Sequence, residues 1–142
     1  MRLYLDIHVM LDVLAQREPW FEDSAAVLSL MESREAEGFT AAHSITTLFD
    51  LTAEHLGRRR ATSALLDLLK LVSVAPLDHD TILEGLALGW SDFEDALQTL
   101  CAATANADYL VTRNTSDFKS ASLPVVTPTE LLAILRSPAD DD

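Results

Sequence analysis

The sequence has a single cysteine and no long apolar run, and these two absences exclude several classes of protein. Cys101 lies within an apolar helical pattern, so neither a disulfide framework nor a thiolate metal site is available. No apolar run approaches the roughly 20 residues needed to cross a bilayer. The apolar stretch 3–14 is interrupted by Asp6, His8 and Asp12, and it lacks the basic flank and cleavage site of a signal peptide. We therefore expect a cytoplasmic protein with no membrane association.

Basic residues are also scarce. The chain has 10 Lys and Arg against 23 Asp and Glu, which gives a formal net charge of −13. Charge-driven binding to nucleic acid needs cationic side chains that displace counterions from phosphates, so this composition argues against it. An acidic protein that handles RNA must obtain positive charge from bound divalent cations or from a local arginine cluster.

The length and composition fit one domain. A chain of 142 residues that is 49% hydrophobic can bury one core but is too short to divide comfortably into two. We expect a domain over residues 1–137 and an acidic, disordered tail over 138–142. The sequence contains no internal repeat and no linker.

Hydrophobic periodicity predicts short strands that alternate with helices. In the predicted helix 23–35 the apolar residues recur every 3.6 positions, and Gly38 is expected to end this helix. Ser91 and Glu94 fit a capping box at the start of the predicted helix 91–105. The alternation predicts an α/β fold with a mostly parallel sheet of about four to five short strands, flanked by helices on both faces. The predicted strands are 3–5, 39–41, 71–75, 107–112 and 125–126, and the predicted helices are 9–16, 23–35, 45–56, 60–70, 78–88, 91–105 and one beginning at 128.

Several carboxylates lie where predicted strands end, which is where sites form in open α/β sheets. Asp6 follows the first strand, and Asn114 and Asp117 follow the strand at 107–112. Asp92 and Asp95 stand three residues apart at the start of the preceding helix, on one face. Four carboxylates and one amide therefore have a common place to meet.

Clustered acids raise one another's pKa and resist burial, and a divalent cation removes that cost. Mg²⁺ prefers oxygen ligands, takes one or two carboxylates directly and keeps several waters. Ordinary structural roles remain open beside this interpretation. Asp92 fits a helix cap, Asp95 fits a solvated helix face, and Asp117 fits a turn.

At these residues the sequence resembles the PIN domain family, in particular the bacterial PIN domains related to VapC toxins. The resemblance spans nearly the whole chain, through motifs whose order and spacing are specific together. They are the opening LDIHVMLDVL at 5–14, QREPWF at 16–21, DSA at 23–25, DFEDALQ at 92–98, ADYLVTRN at 107–114 and DF at 117–118.

The resemblance implies a three-layer PIN fold and a ribonuclease dependent on Mg²⁺ or Mn²⁺. It also implies a homodimer that serves as the toxin of a type II toxin–antitoxin pair, inhibited by a cognate antitoxin protein. By position, Asp6 and Asp95 would be the principal metal ligands. Asn114 and Asp117 would complete or orient the site, and Asp92 would be a secondary acid.

Two departures from the family pattern bear on activity. His8 stands where the family usually has Asn, and it is a candidate proton carrier or a hydrogen-bonded neighbour. The family's second acid, on the helix after the second strand, would fall near Thr46 or Thr47. Asp50, about one turn later, is a candidate replacement.

Basic and aromatic residues offer candidate RNA contacts. Arg113, beside Asn114, is a candidate RNA-binding residue. The arginine run at 58–60 can contact an RNA backbone or an acidic partner, although a solvated helix start is the favoured interpretation. Trp20 and Trp90 can stack bases, although packing or dimer contact is the favoured interpretation.

Three functions remain under consideration. The first is a metal-dependent endoribonuclease, and the second is a degenerate PIN module that binds RNA or a protein without cleavage, as the missing acid suggests. The third is a phosphoacceptor domain with an acidic Mg²⁺ pocket. It ranks last because neither Lys70 nor Lys119 lies at a strand end.

Overall fold

A single sheet of five parallel strands forms the centre of the protein, which confirms the predicted α/β architecture. The computed structural model describes residues 1–137, so the predicted acidic tail lies outside the described residues. The strands are β1 Arg2–Leu5, β2 Glu37–Ala41, β3 Val72–Ala75, β4 Tyr109–Val111 and β5 Val125–Val126.

The strand order is β3-β2-β1-β4-β5. From β1 the chain builds outward through β2 and β3, then returns to add β4 and β5 on the other side. The order therefore reverses between β1 and β4, where Leu5 pairs with Val111. In open parallel sheets a crevice forms at such a reversal, beyond the carboxyl ends of the strands. Residues that directly follow β1 and β4 are thus brought together.

Helices cover both faces of the sheet, which gives the expected three layers. Side chains of β1 alternate, so that Leu3 and Leu5 join one apolar cluster with Leu131 while Tyr4 joins the other with Cys101. Within residues 1–137, no helix has the length and apolar character needed to span a membrane. The helices are α1 Ile7–Leu14, α2 Phe21–Glu32, α3 Ala42–Leu56, α4 Arg58–Leu68, α5 His79–Leu88, α6 Phe93–Thr104 and α7 Pro128–Arg136.

The predicted role of Gly38 as a helix terminator is wrong. Helix α2 ends at Glu32, and Gly38 lies inside β2. A Cβ atom at Gly38 would stand 2.9 Å from the Met31 Cε atom. The absence of a side chain therefore lets α2 pack closely on the strand, which is a packing role that a one-dimensional pattern does not distinguish from a stop signal.

The predicted capping box of α6 is also wrong in its register. Asp92, rather than Ser91, is the N-cap, and its carboxylate accepts a hydrogen bond of 3.1 Å from the Asp95 backbone amide. Asp and Ser are comparable as N-caps, so the sequence allowed both registers. At the start of α7, in contrast, Thr127 and Glu130 form a complete capping box.

Candidate active site

Asp6 is the buried centre of the site. It follows β1 directly and caps α1, with its Oδ1 accepting a 2.8 Å hydrogen bond from the Ile7 amide. Its Oδ2 accepts a 2.8 Å hydrogen bond from the Thr112 hydroxyl, which belongs to the loop after β4. The residue is only 6% exposed. Burial with two donors holds the carboxylate in one orientation at the crevice between β1 and β4.

Helix α6 contributes two more carboxylates. The N-cap hydrogen bond makes Asp92 the start of the helix, and Asp95 lies in its first turn. Gln98, one turn further, donates from Nε2 to Asp95 Oδ1 at 3.3 Å, and the buried Tyr4 hydroxyl donates to Gln98 Oε1 at 3.0 Å. Tyr4 therefore fixes which end of the Gln98 amide faces Asp95.

The loop after β4 supplies the remaining groups. The Thr112 hydroxyl that donates to Asp6 also accepts a 3.1 Å hydrogen bond from the backbone amide of Asn114. Asn114 precedes a short 3₁₀ helix, Thr115–Phe118, which carries Asp117. The buried Phe118 anchors this helix in the core. The Thr112 hydroxyl thus connects the Asp6 carboxylate to the backbone of the loop. That loop carries Asn114 and Asp117.

These residues enclose a cavity of about 230 Å³, which we call the acidic cavity. It collects seven of the candidates from the sequence: Asp6, His8, Thr47, Asp92, Asp95, Asn114 and Asp117. Asp50 is exposed and does not line it, and neither does Arg113. A larger depression of about 780 Å³ adjoins it and shares Asp92, Asp95 and Asp117.

The carboxylates of the acidic cavity repel one another. Burial, followed by the negative charges of Asp92, Asp6 and Asp117, raises the pKa of Asp95 from 3.8 to about 7. Ordinary helix-surface acids do not carry this cost. The interpretation of Asp95 as an acid on a solvated helix face is therefore disfavoured. A positive charge bound in the cavity would stabilise the carboxylates.

The donor set fits a small hard cation. Mg²⁺ and Mn²⁺ prefer oxygen ligands. The cavity offers carboxylate oxygens and one side-chain amide oxygen, from Asp6, Asp95, Asp117 and Asn114. Within residues 1–137, no three His, Cys, Asp or Glu side chains stand close enough together to enclose an ion by themselves. Mg²⁺ takes only one or two carboxylates directly and keeps waters elsewhere, so the two observations are compatible.

The two departures from the family pattern both lie on the cavity wall. His8 lines it, with its Nδ1 buried and without a hydrogen-bond partner among the described residues. Thr47 lines it from α3, so a hydroxyl occupies the expected place of the second acid. Because Asp50 is exposed and does not line the acidic cavity, the structure gives no support to it as a substitute.

Arg113 directly precedes Asn114 but lines a different cavity. Its Nε is 2.9 Å from Oδ2 of the fully buried Asp12, and its guanidinium carbon is 3.8 Å from the Trp20 ring centroid. Among residues 1–137, Nε of Arg113 and both carboxylate oxygens of Asp12 have no hydrogen bond of good geometry, so the contact is mainly one of opposite charges. Burial raises the pKa of Asp12, while Arg113 and the more distant Arg17 oppose that rise.

Sequence reasoning missed three residues that organise the site: Thr112, Gln98 and Asp12. Gln98 was detectable, because it stands three residues after Asp95 and therefore on the same helix face. Thr112 had a weaker signal, as a hydroxyl that ends a strand beside Asn114. The pairing of Asp12 with Arg113 joins residues about a hundred positions apart, and only the folded chain reveals it.

A family model and solved structures match this chain. The PIN domain family model matches residues 2–116. No match was found among curated protein sequences.

Solved structures share the fold at low sequence identity. VapBC2 of Rickettsia felis, solved with a DNA fragment from its promoter, superposes with a TM-score of 0.70 at 16% identity, covering 89% of this chain and 98% of that one. VapC20 of Mycobacterium tuberculosis, a toxin that cleaves the sarcin–ricin loop, gives 0.67 at 15% identity, with coverage of 85% and 95%. FitAB bound to an IR36 DNA fragment gives 0.65 at 16% identity, with coverage of 89% and 94%. With the family model matching most of its length, the chain belongs to the PIN domain family.

Proposed function

We propose that this protein is a divalent-metal-dependent endoribonuclease and the toxin of a type II toxin–antitoxin pair, acting in the cytoplasm. The observation that carries the proposal is the convergence of Asp6, Asp92, Asp95 and Asp117 in one cavity, where burial and then the neighbouring negative charges raise the pKa of Asp95 to about 7. A site with this electrostatic cost is suited to hold a cation.

Asp6 and Asp95 are the residues we assign to hold Mg²⁺ or Mn²⁺, with Asn114 and Asp117 orienting waters or phosphate oxygens. When bound, the cation lowers the pKa of a coordinated water and neutralises charge that develops at a phosphodiester. The protein's own contribution is orientation. Thr112 and the Ile7 amide fix Asp6, and Gln98 fixes one oxygen of Asp95.

Access for RNA is supported by the depression that adjoins the acidic cavity. It is about 780 Å³, is open to solvent and shares three carboxylates with the cavity. Lys119 and the Ser116 and Ser120 side chains line it, so it offers a cation and two hydroxyls for a phosphate backbone.

Purified protein incubated with a structured RNA pool tests the proposal, with Mn²⁺, with Mg²⁺ and with EDTA. We expect cutting with either metal, none with EDTA, and none from an Asp6→Asn/Asp95→Asn double variant. An Asp80→Asn variant, with the change at an exposed acid in the first turn of α5, is the matched control and should cut normally. Cutting that persists in the double variant would refute the site assignment.

The second candidate is a PIN module that binds RNA or a protein without cleaving, and Thr47 on the cavity wall favours it. The two candidates separate in a Thr47→Glu variant, which places an acid where the family usually has one. If the wild type binds Mn²⁺ but does not cut while Thr47→Glu does, the wild type is the non-cleaving module.

A homodimer and a cognate antitoxin belong to the same proposal. Helix α5 buries only Gly85 and exposes Ile82, Leu83, Leu86 and Leu88, a surface that a second copy would cover. Light scattering should give the dimer mass for the wild type and the monomer mass for Leu83→Glu/Leu86→Glu. A wild-type monomer would remove the dimer from the proposal.

A further inference from the structure

A second cavity, of about 350 Å³, lies at the same edge of the sheet, and we call it the Trp20 cavity. Arg113 directly precedes Asn114 of the acidic cavity, and Thr127 directly follows β5, so both cavities open at the carboxyl ends of neighbouring strands. The residues that line it are Pro19, Trp20, Asp23, Ser24, Arg113, Thr127, Pro128 and Thr129.

Its apolar wall is flat and accessible. Trp20 is 39% exposed, and the Arg113 guanidinium lies 3.8 Å from its ring centroid. Pro19 and Pro128 complete the apolar part of the lining. Arg113, and at 5.8 Å Arg17, stack against the indole and hold it in place, and the part of the ring that stays exposed offers aromatic surface to a planar ligand.

Its polar groups include one that the fold leaves without a partner. Ser24 is fully buried, and its hydroxyl has no hydrogen-bond partner within residues 1–137. A buried polar group without a partner costs free energy, and each such group calls for an explanation. Because Ser24 belongs to the cavity lining, a ligand there is a candidate partner for this hydroxyl.

The charges of the cavity select the kind of ligand. The positive charges of Arg113 and, further away, Arg17 face the buried Asp12 carboxylate. Asp23, which accepts a hydrogen bond from the Thr129 hydroxyl, adds a second negative charge, so two guanidinium groups are balanced by two carboxylates. The cavity therefore has no excess of positive charge for a phosphate. It presents hydrogen-bond donors and acceptors beside an aromatic surface, which matches a neutral, planar heterocycle.

We propose that the Trp20 cavity binds a nucleobase of the RNA next to the phosphate that is cut, with guanine as the best match. Arginine donates to the O6 and N7 atoms of guanine, and carboxylates accept from ring and amino N–H groups. Arg113 and Asp23 both line the cavity. The terminal guanidinium nitrogens of Arg113, whose Nε faces Asp12, and the carboxylate of Asp23 supply these two functions, and Trp20 supplies the stacking surface. The inference rests on the proposed action on RNA, and it assigns Trp20 a binding role rather than the packing role that the sequence favoured.

Fluorescence tests the cavity without any cleavage. We expect GMP to quench the tryptophan emission in a saturable way, more strongly than CMP or UMP. The quenching should disappear in Trp20→Phe and persist in Trp90→Phe. Asp23→Asn should weaken GMP binding about tenfold, while the matched first-turn change Asp80→Asn should leave it unchanged.

Three results overturn the inference. One is an absence of saturable quenching by any of the nucleotides. Another is quenching that is equal in wild type and Asp23→Asn. The third is quenching by N-acetylargininamide or N-acetylphenylalaninamide but not by nucleotides, which would assign the cavity to a protein partner.

Mapping of the cut sites in the RNA pool separates this inference from the nuclease proposal. Metal-dependent cutting with a guanine preference that Asp23→Asn relaxes supports both. Cutting whose base preference is the same in wild type, Asp23→Asn and Trp20→Ala overturns the nucleobase cavity and leaves the nuclease intact. GMP quenching of Trp20 without cutting supports the cavity and removes the nuclease. Thermal unfolding of each variant checks that it is folded.

Discussion

Replacing Asp95 by Asn should stabilise the metal-free protein. The change removes one charge from a cavity in which burial and three neighbouring carboxylates raise the pKa of Asp95 from 3.8 to about 7. The amide has nearly the same shape, and its oxygen can still accept the hydrogen bond that Gln98 donates. The variant therefore removes the repulsion and keeps the packing.

The pKa sets both the size and the pH range of the effect. A rise from 3.8 to about 7 corresponds to about 4 kcal/mol in full. Because Asp95 is partly open to solvent, screening reduces the expected gain to about 1–2 kcal/mol. Its pKa is higher in the folded than in the unfolded state, so the wild type loses stability as the pH rises from about 4 to about 7 and then levels off. The advantage of the variant should grow over that same range.

Thermal unfolding in EDTA measures this directly. We expect Asp95→Asn to melt about 3–8 °C above the wild type near neutral pH and close to it at about pH 4. Asp80→Asn also removes an acid from the first turn of a helix, and it should lower the melting temperature slightly through the helix dipole. Destabilisation by Asp95→Asn, or a gain that is independent of pH, would refute the electrostatic account.

Further predictions concern the neighbours of the site. Thr112→Val leaves an oxygen of buried Asp6 without its donor, so it should cost about 1–3 kcal/mol in denaturant unfolding and slow cleavage about 10–100-fold. Thr112→Ser should retain both properties, and equal losses in the two variants would contradict the hydrogen-bond role. Arg113→Met leaves buried Asp12 without its nearest cation and should cost about 3–5 kcal/mol. That loss should shrink in acid, where Asp12 takes up a proton, and adding Asp12→Asn should recover part of it. Mn²⁺ at about 100 times its Kd should raise the free energy of unfolding by about 2.7 kcal/mol, and an equal rise in Asp6→Asn would place the ion elsewhere.

The fold was predictable because its signals are local. Apolar strands and amphipathic helices alternate along the chain, and all five predicted strands are present. The prediction was wrong at positions where the same residue type can have two structural roles. Gly38 permits close packing on Met31 rather than ending a helix, and Asp92 rather than Ser91 caps α6. Local pattern does not separate these cases, because the deciding contacts are tertiary.

The sequence predicted which residues line the acidic cavity, but not the hydrogen bonds that connect them. Strand ends in a parallel sheet converge, so Asp6, Asn114 and Asp117 follow from the topology alone. The hydroxyl of Thr112 that links Asp6 to the Asn114 amide depends on the register of β1 and β4. The sequence does not contain that register explicitly. The same holds for the Trp20 cavity, whose walls come from three distant segments.

The central claim is that the protein cuts RNA with a cation held at Asp6 and Asp95. The most direct test is a Mn²⁺ titration in which electron paramagnetic resonance measures bound metal and cleavage is measured in the same samples. The account predicts that the cleavage rate rises in proportion to bound Mn²⁺ in the wild type. It also predicts that the Asp6→Asn/Asp95→Asn variant loses both the binding and the cutting. Cleavage that saturates while the protein binds no Mn²⁺, or Mn²⁺ binding that the double variant retains in full, would contradict it.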